Sequence, residues 1–353
     1  MTVRVALVGL GCAARSIWLP RLRRHPAFEL TVVVDPDQAA RQGFDPQGGH
    51  VSILPSVDDL AGTAVDLAVI AAPNHLHCDL ACRLLARGLA VFVEKPVCLN
   101  SAEADRLLTA ERAGDTVLLG GSAARYRADV QALYGLAGQL GQLRHIELAW
   151  IRARGVPNGW FTRRGLAGGG ALVDLGWHLL DTISPLLGTV TFDQVTGTVS
   201  ADFLTDGARR AAWRHDSAPD EDCPGDVEDT ARGFLVTENG VSVSLRTSWA
   251  SHEAHDVTTI RVEGSAGAAL LTCTFGFSPH RRRGSTLSHI RDGASVAMPV
   301  AQEPIGAEYC RQLDQLPRQL TDPACRGLVI EDARWTIGTI ERLYASASAV
   351  MHA

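Results

Sequence analysis

The stretch Val3–Ser16, "VRVALVGLGCAARS", decides the fold. Val3–Val8 reads as a strand buried on both faces, and a helical pattern, Ala13–Arg24, follows it. Between them Gly9-Leu-Gly11-Cys12-Ala13-Ala14 matches G-x-G-x-x-A. Glycines at these points permit a tight turn and let backbone approach a pyrophosphate, which rests on the helix N-terminus. Alone the pattern is weak, but strand, turn and helix together form the first unit of a dinucleotide-binding domain. Asp35 closes the next strand, Leu30–Val34, about 20 residues further on, where a carboxylate accepts hydrogen bonds from the adenosine ribose and repels a 2′-phosphate. Pro36 and Asp37 follow it rather than an arginine, which favours NAD over NADP.

The same grammar continues with strands Asp66–Ala71, Ala90–Val93 and Val117–Leu119 and helices His77–Arg87 and Ser101–Ala113, the last with Asn100 or Ser101 as N-cap. The second helix is expected to be short, because "FDPQGGH" at Phe44–His50 breaks it. In an open parallel sheet, ligands bind beyond the carboxyl ends of the strands. Cofactor contacts are therefore expected at Gly9, Gly11, Cys12, Ala13, Asp35, Ala72, Pro73, Asn74, His77, Glu94, Lys95 and Pro96. Lys95 is the sole lysine among 33 basic side chains, the other 32 being arginine. A compact ammonium can be desolvated and join proton chemistry where a guanidinium cannot.

With 353 residues the chain is expected to form two domains, 1–122 for NAD and 123–353 for substrate, the last helix being a candidate to pack back on the first. The second domain reads as α+β: a helix at Arg127–Ala137, a strand in "LRHIELAWIRA", a helix in "ALVDLGWHLLDTISPLLG", then strands Val190–Val199, Ala231–Thr237, Val241–Trp249, Thr258–Glu263 and Ala268–Thr274. "ENG" at 238–240 marks a hairpin, and helices Ala307–Leu320 and Ile330–Ser346 close the chain. The fold class is thus an α/β Rossmann domain followed by an α+β domain with a large, mostly antiparallel open sheet.

A formal net charge of -6 argues against a nucleic-acid or anionic-membrane binder. The one basic cluster, His280–Arg283, reads as a solvated turn with some prospect of meeting an anion. The eight cysteines lie without zinc spacing, so no metal is expected, and Cys78 and Cys82 share one helix face. The N-terminus enters a strand directly and no apolar run reaches membrane-spanning length, which suggests a cytoplasmic protein.

"GGGALVDLGWHLLD" runs from Gly168 to Asp181 and puts Asp174 and His178 four residues apart, on one face of a regular α-helix. An acid beside an imidazole orients a general base and stabilises its protonated form. The three preceding glycines are expected to allow close approach to a ligand. With "GLGCAA", "AAPNHLH" and "EKP" in order and spacing, the chain resembles the Gfo/Idh/MocA oxidoreductases, relatives of glucose–fructose oxidoreductase and inositol 2-dehydrogenase, over nearly its whole length. The resemblance implies reversible hydride transfer between NAD(P) and a secondary alcohol of a sugar or cyclitol. It also implies a homodimer or homotetramer through the C-terminal sheet, and catalytic roles for Lys95, Asp174 and His178.

Arg125, Trp160 and Arg163 are further candidates for substrate contact, with Asp174 and His178. The run "DSAPDEDCPGDVED", Asp216–Asp229, carries seven carboxylates and would favour a cationic substrate if it borders the pocket. An amino sugar or aminoglycoside precursor is thus the favoured substrate, and a catabolic inositol or hexose dehydrogenase the nearest alternative. A nucleotide-sensing regulator would be expected to lose the catalytic trio. A glycosidase using NAD transiently would hold its cofactor tightly.

Overall fold

Strands β1 (Val3–Val8), β2 (Phe28–Val34), β3 (Ser52–Leu54), β4 (Leu67–Ile70), β5 (Ala90–Val93) and β6 (Leu118–Gly120) form a parallel sheet in the order β3-β2-β1-β4-β5-β6. β1 is apolar at successive positions because Val5, Ala6 and Leu7 are wholly buried, as strands covered on both faces are. The strand order reverses between β1 and β4, so the loops after these two strands flank the ligand crevice of such a sheet. The computed structural model describes residues 2–211 and 225–351, and Asp216, Asp220, Glu221 and Asp222 of the acidic run lie outside them.

β3 carries no sequence signal, because it is short and has two of its three residues exposed, so it shows no apolar alternation. The first helix also departs from a regular pattern. Ala14–Trp18 make a π turn before α1 (Leu19–Arg24). Pro20 cannot donate a backbone hydrogen bond, and the Arg21 guanidinium donates instead to the carbonyls of Ser16 (3.4 Å) and Ile17 (2.7 Å). α2 (Gln38–Gln42) is short as expected, and α3 (His77–Leu85) and α4 (Ser101–Ala113) follow. Asn100 caps α4 by accepting from Glu103 N (2.8 Å), while the Glu103 carboxylate accepts from Leu99 N (2.7 Å).

The chain divides into two compact units, Met1–Gly121 with Tyr309–Trp335, and Ser122–Glu308 with Thr336–Ala353. Residues from the C-terminal third enter the first unit because Leu313 and Leu316 join its core of Val5, Leu7, Trp18 and Phe92.

In the second unit α5 (Ala128–Leu136) precedes β7 (Leu143–Ile151). α6 (Arg164–Ala167), a π turn at Leu172–Gly176 and α7 (Trp177–Leu187) come next. The remaining strands are β8 (Phe192–Ser200), β9 (Thr230–Thr237), β10 (Ser242–Ser248), β11 (Val257–Gly264), β12 (Gly267–Cys273), β13 (Thr286–Arg291) and β14 (Ala294–Met298). Their order is β14-β13-β12-β11-β7-β10-β9-β8, antiparallel except where β7 meets β10. The Glu238–Gly240 turn joins β9 to β10, with Gly240 at φ +81°. The β13–β14 hairpin was not expected from sequence, although Asp292-Gly293 (φ +50° and +78°) is a strong turn pair. Its exposed edge strand shows no buried face to read. Helices α8 (Ala307–Gln319) and α9 (Leu328–Met351) end the chain.

Candidate active site

In the first unit Gly9 adopts φ +94°, and a Cβ there would lie 2.7 Å from the Ala71 carbonyl oxygen. This glycine is required by the close passage of the β1 loop over the end of β4. At Gly11 a Cβ would meet no protein atom within 4 Å. That open space lies beside the helix N-terminus, where a pyrophosphate would rest. Asp35 shapes the same loop: Oδ2 accepts from Leu10 N (2.7 Å) and Oδ1 from Asp37 N (2.9 Å). Cys12 and Ala13 open the helix half-buried, the Cys12 thiol 3.8 Å from Ser16 Oγ. These features fit a dinucleotide. Gly9, Gly11, Cys12, Ala13 and Asp35 form one cradle.

Glu94-Lys95-Pro96 directly follows β5, and the Lys95–Pro96 peptide is cis. Glu94 is buried, with Oε1 accepting from the wholly buried Trp18 indole (2.8 Å) and Oε2 from Lys95 N (2.9 Å). Burial pushes its carboxyl above the ordinary range, against the pull of the Lys95 charge and the two N–H donors. Trp18 is fixed in turn by edge-on contacts with Phe92 (4.8 Å) and Tyr309 (5.7 Å). Lys95 itself is half-buried. His77 lies with Nδ1 2.8 Å from Pro96 O and Nε2 2.8 Å from Ala72 O, so it braces the loops after β4 and β5 and has no ring nitrogen left for a ligand. Burial lowers its pKa. Ala72 and Pro73 are half-buried beside it and Asn74 is buried.

In the second unit Asp174 and His178, expected on one face of a regular helix, come from two different kinds of turn. Asp174 sits in the π turn and His178 in α7, so the register between them is wider than in an α-helix. The partners that position them come from the central strands and were not read from sequence. Asp174 Oδ2 accepts from Trp249 Nε1 (2.9 Å), with Arg152 Nη1 3.5 Å away. The His178 ring lies 5.5 Å from that of Trp150, over which the Arg152 guanidinium is placed at 5.2 Å. Trp150 and Arg152 stand at the end of β7 and Trp249 just past β10, the parallel pair. An acid, an imidazole, a guanidinium and two indoles thus converge. Large aromatic and arginine residues at the ends of neighbouring strands were the available signal.

Of the three glycines before this helix, Gly169 and Gly170 do not open it to a ligand. A Cβ at Gly169 would lie 2.1 Å from Tyr344 Oη, and one at Gly170 would lie 1.8 Å from the Glu228 carbonyl oxygen. The space is filled by the protein. The buried Glu228 carboxylate accepts from Gly170 N (3.1 Å), Leu172 N (2.9 Å) and Tyr344 Oη (2.8 Å), and burial raises its pKa. It caps the helix that carries Asp174 and His178.

Asp226 and Asp229 are likewise consumed, Asp226 by Arg164 N (2.6 Å) and Asp229 by Thr230 Oγ1 (2.9 Å) and Phe203 N. The described end of the acidic run is therefore structural. Arg125 donates to the Asp181 carbonyl (3.0 Å) and Ser184 Oγ (2.9 Å) and pairs with the Asp181 carboxylate (2.7 Å), which ties it to α7. Trp160 stacks on Phe161 at 4.0 Å, and Arg163 is half-buried just before α6. Among the described residues no His, Cys, Asp and Glu group could hold a metal, and no helix is long and apolar enough to cross a membrane.

Residues 3–121 match the model of an oxidoreductase family with an NAD-binding Rossmann fold, and residues 136–270 match the GFO/IDH/MocA C-terminal domain. A protein of Amycolatopsis mediterranei (strain S699), provisionally named UDP-kanosamine synthase oxidoreductase subunit, is 56% identical over 98% of this chain and 96% of its own. D-glucoside 3-dehydrogenase of Escherichia coli (strain K12) is 28% identical over 70% of each chain. The crystal structure of GenD2 from gentamicin A biosynthesis, in complex with NAD, is similar at TM-score 0.77 and 25% identity, covering 98% of this chain and 94% of that one. With both of its domains matched, this chain belongs to the GFO/IDH/MocA family and is an oxidoreductase with an NAD-binding Rossmann domain.

Proposed function

We propose that this chain uses NAD to oxidise a secondary alcohol of a sugar, and that the reacting centre is carbon 3 of a glucose-type ring. The observation that carries this reading is the 56% identity to the UDP-kanosamine synthase subunit. Kanosamine is 3-amino-3-deoxyglucose, so an oxidoreductase serving its synthesis has carbon 3 to oxidise before an amine is installed. The name D-glucoside 3-dehydrogenase points to the same carbon. The product ketone would then be consumed by an amine-transferring enzyme, which favours amino-sugar or aminoglycoside biosynthesis over inositol or hexose catabolism. The acidic run lends no weight, since its described carboxylates are bonded internally.

Asp35 and the NAD complex of GenD2 favour NAD over NADP. Bound NAD supplies the hydride acceptor. Lys95 donates a hydrogen bond to the substrate oxygen as it becomes a carbonyl, and His178 accepts the hydroxyl proton. Asp174, held by Trp249 and Arg152, orients the site. These roles follow from residue chemistry and the family pattern. Residues 1–122 are proposed as the cofactor domain and 123–353 as the substrate and oligomerisation domain of a cytoplasmic homodimer or homotetramer, with Tyr309–Trp335 returned to the first unit.

The test is incubation with NAD and a panel of glucose, methyl glucoside, glucose 6-phosphate, UDP-glucose and inositol. Borodeuteride trapping and NMR then locate the ketone. Deuterium at carbon 3 of a glucosyl product supports the reading; a ketone elsewhere, or on inositol alone, overturns it.

A further inference from the structure

A run of carboxylates belongs in solvent, yet the last two of the acidic run, Glu228 and Asp229, are only 3% and 0% exposed. Glu228 collects the donors at the start of the helix that carries Asp174. Its carboxylate accepts from Gly170 N (3.1 Å) and Leu172 N (2.9 Å), and its main-chain carbonyl from Ala171 N (3.0 Å). Three successive N–H groups of the kind a helix start leaves without an intrahelical partner thus end on one residue. Asp174 N makes its own bond to Gly170 O (2.9 Å), so its backbone is built directly on this capped turn.

Asp229 acts from the other side. Its carbonyl accepts from Trp249 N (2.8 Å), and the Trp249 indole donates to Asp174 Oδ2 (2.9 Å). Asp229 is pinned in turn: its N donates to Ser200 O (3.0 Å) and its Oδ1 accepts from Thr230 Oγ1 (2.9 Å). A Cβ at Gly155 would lie 3.0 Å from Trp249 O and would meet the stem of Arg152. That glycine therefore lets Arg152, whose Nη1 stands 3.5 Å from Asp174, pack against the same tryptophan. The backbone of Asp174 is set through Glu228 and its carboxylate through Asp229, one peptide bond apart.

Glu228 has holders of its own. Tyr344 Oη, on α9, donates to Oε1 (2.8 Å), and Arg164 Nη2 lies 3.6 Å from Oε2. The Arg164 guanidinium also lies over the Tyr344 ring at 4.9 Å, so the two holders brace each other. Among the described residues, the groups bonded to this carboxylate or paired with it all donate, which suits an ionised acid. A negative charge at a helix N-terminus also complements the helix dipole.

We propose that Glu228 and Asp229 are positioning residues for the reaction, which together set where the Asp174 carboxylate stands, and that Tyr344 keeps Glu228 in place for this. The role rests on the reading that Asp174 and His178 carry the chemistry. Two readouts on the full-length protein test it. In protein labelled with 15N at tryptophan, the Trp249 indole signal, assigned by its loss in Trp249→Phe, reports the bond to Asp174 without substrate. Glu228→Ala and Tyr344→Phe should each move its proton upfield. Glu228→Gln, whose amide oxygen still accepts from Leu172 N and Tyr344 Oη, should move it less. With NAD and UDP-glucose, Glu228→Ala should lower kcat by about 10²-fold, with KM kept within about twofold. Tyr344→Phe should lower kcat less, and Glu228→Gln should recover most of the loss.

An indole signal unmoved in folded Glu228→Ala overturns the proposal; where that variant does not fold, an unmoved signal in Tyr344→Phe does so. A purely structural cap is shown instead if the variants lose urea midpoint while kcat per folded molecule stays at the wild-type value, and this too overturns it. Should the wild-type protein oxidise no sugar of the panel, the dehydrogenase reading fails by itself, while the substrate-free indole signal still decides whether residues 228 and 229 position Asp174.

Discussion

Two glycine stretches in this chain have similar composition and opposite uses. Gly9–Gly11 lies between a strand and a helix, and at Gly11 the space a side chain would occupy is empty. Gly168–Gly170 also precedes a helix, yet at Gly169 and Gly170 the corresponding space is filled by the Tyr344 hydroxyl and the Glu228 backbone. One stretch leaves room for a ligand. The other lets a buried carboxylate cap the helix bearing Asp174 and His178. Glycine before a helix therefore marks close approach, and only the neighbours say whether a ligand or the protein does the approaching.

Gly170→Ala should break this contrast most violently. Its Cβ has backbone 1.8 Å away, so the variant should lose more than about 4 kcal/mol of stability and accumulate unfolded, as read by urea denaturation. The same change at Gly11 should leave the urea midpoint nearly unmoved while raising the Kd for NAD tenfold or more, about 1.4 kcal/mol. Equal destabilisation by both would erase the distinction.

Catalysis should part from both glycine effects. His178→Asn and Lys95→Arg should each lower kcat by about 10²–10⁴-fold with the fold intact; full turnover by Lys95→Arg would contradict the role given to the lysine. Trp18→Phe should cost about 1–3 kcal/mol, because Glu94 Oε1 loses its buried donor.

The smallest effect concerns pH. Burial holds the Glu94 carboxyl above its ordinary 4.5, so the fold favours its protonated form. The stability this gives is complete below about pH 4.5 and is lost as pH rises through the raised value. Glu94→Gln should flatten that limb in urea midpoints measured from about pH 5 to 8; an unchanged slope would place the titration elsewhere.

The fold was legible where burial imposes a pattern. The apolar run of β1, the cap at Asn100 and the Glu238–Gly240 turn all appear in the sequence as they do in space. β3 and β14 were not, because exposed edge strands bury no face. The π turns around Trp18 and Asp174 were also hidden, since apolar periodicity does not distinguish them from α-helix at short range. In the candidate site the chemistry-bearing residues were visible by type. Their holders, Trp18, Trp249, Arg152 and Glu228, are distant in sequence and known only once the strands are side by side.

The most direct measurement is hydride tracing with glucosyl substrates deuterated separately at carbons 2, 3 and 4. Mass spectrometry of the nicotinamide product follows turnover with NAD. Deuterium arriving in reduced nicotinamide from the carbon-3 substrate alone is the result expected. Deuterium arriving from carbon 2 or carbon 4, with none from carbon 3, would contradict the assignment.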